Sequence, residues 1–296
     1  MPPNTDHLIV HESPQARLEQ LIIAFGGWPD AAEGATTAIK YLLRKLRARK
    51  LAEIDPEKFF VFSQERPRSS RTRDGRRCVH WPANEFYYWV RGEKGVMFLL
   101  GIEPNLRWRT FSRTIADLAQ QSGVKTAIHV GALLDAVPHT RQVRLTGSST
   151  HPEIQQALDS ASIGSSNYQG PTGISSAVME ACANQGMGYA SLWGHTSHYL
   201  QAAPNYRISY TLAQNLTRLL DLPVDLAELR TAAETFDEEV GKAISQDDQL
   251  RDYVKKLEDR YDESVAASEM PDPADVVREL EQFLRSERRG GAGESP

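Results

Sequence analysis

Between Leu21 and Leu220, short apolar runs of β-type alternate with stretches of helical periodicity, and that alternation narrows the folds open to the chain. Leu21-Ile-Ile-Ala-Phe25 ends in Gly26-Gly27 and reads as a buried strand. Ala35 to Lys50 follows, with Ile39, Leu42, Leu43 and Leu46 on one helical face and basic residues between them. Phe59–Phe62, Phe86–Val90, Val96–Leu100, Thr126–Val130, Gln142–Thr146 and Met187–Trp193 carry the aromatic and β-branched residues that strands favour. Helical patterns fall at Arg109–Gln121, His151–Ser160, Gly173–Gln185 and Tyr206–Leu220. Strands that alternate with helices pair in parallel through right-handed crossovers, and the helices cover both faces. The expected fold is therefore α/β, a mostly parallel sheet flanked by helices, occupying residues 1–223.

After Leu222-Pro223 the strand signals stop. Leu226, Leu229, Ala233, Phe236 and Val240 recur at helical spacing, as do Leu250, Val254, Leu257 and Tyr261. Ala243–Asp248 reads as the turn between two helices, with Ser245 or Asp247 as its cap. A last helix is expected from Ala274 to Arg285 after Met270-Pro-Asp-Pro273. Residues 224–287 thus form a helical extension, and the Gly-rich 288–296 a disordered tail. Charge follows the same division: Val224–Pro296 holds about 20 acidic against about 10 basic residues, leaving the rest mildly basic.

Several classes are disfavoured. The longest apolar runs fall short of the roughly 20 residues that span a bilayer. No basic region followed by an apolar core opens the sequence, so the expected compartment is the cytoplasm. Cys78 and Cys182 are too few for a disulfide framework or a zinc site. A net charge of −5 argues against a nucleic-acid binder. The run Arg66, Arg68, Arg71, Arg73, Arg76 and Arg77 reads as an exposed loop or hairpin, open to nucleic acid, to an acidic partner or to neutralising the chain's own acidic helices.

Predicted strands end in unusual polar sequence. In a parallel sheet such ends lie along one edge, where ligand crevices form. The expected rim carries Trp28, Asp30, Glu103, Asn105, Asp135, His139, Arg141, Thr172, His195 and His198, as a ligand or partner surface. His195 and His198 lack a third ligand at close spacing, so no metal site is expected. Asp135, His139 and Arg141 could orient a base and an anion, or simply build a turn. Gly170-Pro-Thr-Gly173 lacks the Lys of a P-loop, and no Gly-x-Ser-x-Gly elbow occurs. Gly147-Ser-Ser-Thr150 could offer a nucleophile or cap the following helix.

Five segments appear in a recognisable order: Gly26-Gly-Trp-Pro-Asp30, Gly101-x-Glu-Pro-Asn105, Gly131-x-x-x-Asp-x-x-Pro-His-Thr-Arg141, Tyr168-x-Gly-Pro-Thr-Gly173 and Trp193-x-x-x-x-His-Tyr199. Together they resemble the proteasome assembly chaperone family, and the acidic helical extension is similar to that of its bacterial members. The resemblance implies a phosphorylase/hydrolase-like α/β fold, a homo-oligomer and protein partners, proteasome subunits among them. Several family members dock through a C-terminal hydrophobic-Tyr-any tail, whereas this sequence ends Gly-Glu-Ser-Pro296, which argues against that mode. The expected function is non-catalytic protein binding of the assembly-chaperone kind, with no cofactor, no metal and no membrane. The alternative is an enzyme acting at the strand-end cleft on a nucleoside, a phosphorylated metabolite or a carboxylate.

Overall fold

The computed structural model describes residues 7–166, 168–200 and 203–269. The helix expected at 274–285 and the tail at 288–296 lie outside them. The chain divides into two compact units that meet between Gln246 and Asp247, one helix later than the change in composition at Pro223.

The first unit is built on an eight-stranded sheet of order β1-β3-β6-β7-β2-β8-β10-β9. Its strands are β1 (Leu8–Val10), β2 (Arg17–Gly26), β3 (Arg49–Ile54), β6 (Asn84–Arg91), β7 (Lys94–Ile102), β8 (Thr126–Asp135), β9 (Leu145–Ser149) and β10 (Gly188–Ser197). Parallel pairing holds at the centre, where β2 joins β7 and β8, and β8 joins β10. Both flanks are antiparallel, so the sheet is mixed. Between β6 and β7 the reason is local. Gly92, with φ of 65°, closes a tight turn that folds β7 straight back along β6 without a crossover helix.

Alternation along the central strands fills both faces. Leu21, Ile23 and Phe25 of β2 join Met97 and Leu99 in one core, beneath α2 (Trp108–Gln121) and α4 (Ile174–Asn184). Ile22 and Ala24 join Phe98, Ile128 and Val130 in the other, beneath α1 (Gly34–Leu46), α3 (Pro152–Ser160), α5 (Tyr206–Leu219) and α6 (Ala227–Ser245). Each strand is thus buried on both sides, as near-continuous apolar runs require.

Two expectations fail here. The helix read as reaching Lys50 stops at Leu46, because Arg47 adopts the left-handed conformation and its N–H closes onto the Leu43 and Arg44 carbonyls. Arg49–Ile54 then forms β3. Phe59–Phe62 is no strand. Asp55 accepts the Glu57 N–H to cap a 3-10 turn at Pro56–Lys58, and Phe59 and Phe60 drop into the core from a loop.

The arginine-rich segment forms an isolated hairpin, β4 (Arg68–Arg71) paired with β5 (Arg77–His80), with its arginines exposed. The second unit contains α7 (Asp248–Glu269), capped where Asp247 accepts the Leu250 N–H at 3.0 Å. Among the described residues no helix is long and apolar enough to cross a membrane.

Candidate functional site

The strand ends lie side by side. Gly26 pairs with Ile102, and Phe25 with Gly101. Trp193 pairs with Gly131, and Ser197 with Asp135. The Ala132 N–H donates to the Pro29 carbonyl at 2.9 Å, which draws the Gly26–Asp30 loop against β8. The polar side chains carried to this edge nevertheless have separate tasks.

Asp30 is 6% exposed and serves α1. Its carboxylate accepts the Ala35 N–H at 2.6 Å and the Thr36 N–H and hydroxyl at 3.2 and 2.5 Å. These are free donors of a helix start, where Glu33, the preceding residue, offers no side-chain bond. Burial raises the Asp30 pKa against the pull of those donors. Asp30→Ala is expected to lower stability by about 1–2 kcal/mol in a denaturant titration, the cost of an uncapped helix start. An unchanged midpoint would show that water replaces the carboxylate.

Glu103 does the same for α4, accepting the Ile174 N–H at 2.8 Å, and burial raises its pKa too. Thr172 and Ser176 share a hydroxyl hydrogen bond on the same helix start. Asn105 is turned elsewhere: it accepts the Val61 N–H at 2.9 Å and fastens the loop that buries Phe59. Arg141 is half-buried, with its guanidinium 3.4 Å from the Thr140 hydroxyl. His139 meets the Tyr199 hydroxyl through both its N–H, at 2.9 Å, and Nδ1, at 2.7 Å. His198 donates its backbone N–H to the Asp135 carbonyl at 3.0 Å.

A second grouping crosses three strands. Asp135 on β8 holds His195 on β10, with Oδ2 to Nδ1 at 2.7 Å. His195 Nε2 lies 2.9 Å from the hydroxyl of Thr146 on β9. The hydrogen bond to His195 lowers the Asp135 pKa, helped by the Ala136 N–H and by Arg144 nearby, so the group is a carboxylate at neutral pH. An ionised carboxylate only accepts, so Nδ1 is the donor to Asp135, and in the neutral ring Nε2 is then the acceptor that faces Thr146. The sequence pointed to Asp135 and His195 separately. The sequence places Thr146 only at the end of a strand, because nothing local links it to a histidine 49 residues away.

Beside this line opens a cavity of about 1050 Å³. Its floor is one face of β9 and β10, carrying Thr146, Ser148, Tyr189, Ser191 and Trp193. Its walls are Tyr168–Gly173 and the start of α4, and Trp28 and Tyr168, 65% and 66% exposed, stand at it. Among the described residues that line it, none carries a formal charge. Of the ten expected rim residues, only Trp28 and Thr172 line this cavity. The floor follows from alternation, since Tyr189-x-Ser191-x-Trp193 on a strand places three side chains on one face.

Beside the floor, on the same face of the sheet, His129 of β8 pairs with Ser191 and is fully buried, with no hydrogen-bond partner for either ring nitrogen among the described residues. Its ring stacks on Phe25 and tilts against Trp193. Among the described residues no group of three or more His, Cys, Asp or Glu could hold a metal ion.

The PAC2 family model matches residues 24–244. A PAC2 family protein from Streptomyces avermitilis is 32% identical, with a TM-score of 0.71, covering 80% of this chain and 99% of its own. A proteasome-assembly chaperone homologue from Mycobacterium tuberculosis is 30% identical, with a TM-score of 0.70, covering 79% of this chain and 99% of its own. PbaB from Pyrococcus furiosus, an archaeal proteasome activator, shares the fold at 19% identity and a TM-score of 0.64, over 80% of this chain and 97% of its own. No curated protein matches.

Proposed function

This chain belongs to the PAC2 family, and from that premise we propose that it is a homo-oligomeric, cytoplasmic protein of the assembly-chaperone kind, acting by binding proteasome subunits. The observation that carries this reading is the likeness to the Mycobacterium tuberculosis proteasome-assembly chaperone homologue, which extends over 99% of that chain at 30% identity. The binding role requires no reaction. Asp30, Glu103 and Asn105, three of the expected rim residues, are engaged in holding helix starts and a loop.

The strand-end side also has the surface such a role needs. Trp28, Leu106 and Leu134 are large apolar residues exposed beside it, and aromatic anchors of this kind dominate protein interfaces. Sedimentation velocity on the full chain, alone and mixed with unassembled proteasome α-subunits at physiological salt, tests the reading. A self-associated species that shifts to a larger complex with the subunits is expected. Independent sedimentation of the two proteins would remove the reading.

A further inference from the structure

The binding role leaves one set of side chains unused: the line Asp135–His195–Thr146 and the cavity on which Thr146 opens. We propose that the chain also carries an acyl-transfer site, in which Thr146 is the nucleophile and its substrate is an uncharged carboxylic ester.

The geometry supplies each part that such chemistry needs. A hydroxyl is a weak nucleophile until a base lies within hydrogen-bond reach, and His195 Nε2 is 2.9 Å from Thr146 Oγ1. The base must be held in one tautomer, and Asp135 does so at 2.7 Å from Nδ1. The three residues come from three neighbouring strands, β8, β10 and β9, so the sheet fixes their spacing. Thr146 and His195 are buried, which keeps bulk water from competing for the imidazole.

Two features of the cavity define the substrate. Its described lining is free of formal charge, and at the start of α4 the Ile174 N–H is already taken by the Glu103 carboxylate. An anionic ligand would there meet a like charge and no cation to pair with, so the ligand is neutral. Ser148 and Ser191 face each other across the β9–β10 ladder on the floor beside Thr146. Neither hydroxyl has a protein partner among the described residues, which leaves both able to donate to a developing oxyanion.

The reaction balances with water as the only co-reactant. Thr146 Oγ1 bonds to the ester carbonyl carbon, and its proton passes to His195 Nε2. The ester C–O bond breaks and the departing alcohol takes that proton. Water, deprotonated by the same nitrogen, then releases the carboxylic acid and restores Thr146. Asp135 stays ionised throughout.

The test uses the full chain and 4-nitrophenyl acetate, with the acetylated residue located by peptide mass spectrometry. A burst of nitrophenol with acetyl on Thr146 is expected. Thr146→Val, which keeps the shape, is expected to abolish both, Thr146→Ser to retain them, and His195→Gln to slow the burst about 100-fold. Melting curves of each variant establish that the fold is kept. Should Thr146→Val not fold, acetylation of wild-type Thr146 still decides. A burst unaltered in Thr146→Val, acetyl groups only on lysines, or no acetylated threonine would each overturn the assignment. The subunit-binding experiment reads none of these, so the two readings stand or fall apart.

Discussion

Mild acid is expected to destabilise the first unit through one side chain, His129. The ring is fully buried between Phe25 and Trp193, and burial alone lowers its pKa from the usual 6.5 to about 4. Only the neutral form fits, since neither nitrogen has a partner to share a charge. The depressed folded value means that the unfolded chain binds the proton first. Full stability is therefore present above pH 6.5, falls as the pH drops below that, and stops falling once the pH passes about 4. A displacement of this size corresponds to about 3 kcal/mol, a large share of the 5–15 kcal/mol typical of a domain. His129→Leu keeps an apolar side chain of similar size and removes the titration. Urea midpoints across this window should fall for the wild type and stay nearly level for the variant. Parallel curves would mean that the acid response comes from carboxylates such as Asp135, whose pKa is lowered and whose contribution is lost only at more acidic pH.

The same histidine marks where sequence stops giving positions. Thr126-Ala-Ile-His-Val130 is legible as a strand because its neighbours are apolar and β-branched, but nothing in five residues says which face the imidazole takes. The strand ends were legible for a physical reason: Gly26, Gly101, Gly131 and Gly194 each follow or interrupt an apolar run, and central strands of an α/β sheet end together. Arg49–Ile54 was not, because Arg-Lys-Leu-Ala-Glu-Ile continues the charge and apolar spacing of α1 and only the left-handed Arg47 separates them. Phe59-Phe-Val-Phe62 has every local mark of a strand, yet Asn105, more than 40 residues later, holds it as a loop. Thr146 belongs to the same class. Its meeting with His195 depends on the sheet order β8-β10-β9, a long-range fact that local pattern does not encode.

Gly131→Ala tests that order most directly. A methyl group at this position would lie 2.3, 2.5 and 2.9 Å from three ring atoms of Trp193, because the indole lies across β8 where the glycine leaves room. Residues 131 and 193 are register partners on the parallel β8–β10 pair, so neither strand can slide to relieve the contact without breaking the ladder on both sides. The ring must turn, and its neighbours include His129 on the adjacent strand and the cavity that it lines. Overpacking of this kind costs about 1–3 kcal/mol. The cost should nearly vanish in a Trp193→Leu background, where a flexible side chain can move aside, so a double-mutant cycle is expected to return a coupling of about the same size. Tryptophan fluorescence of the single variant should also shift to longer wavelength as the indole swings towards solvent. Equal losses in both backgrounds would show that the alanine offends the backbone rather than the ring, and Trp193 would then have no part in shaping the cavity floor beside Thr146.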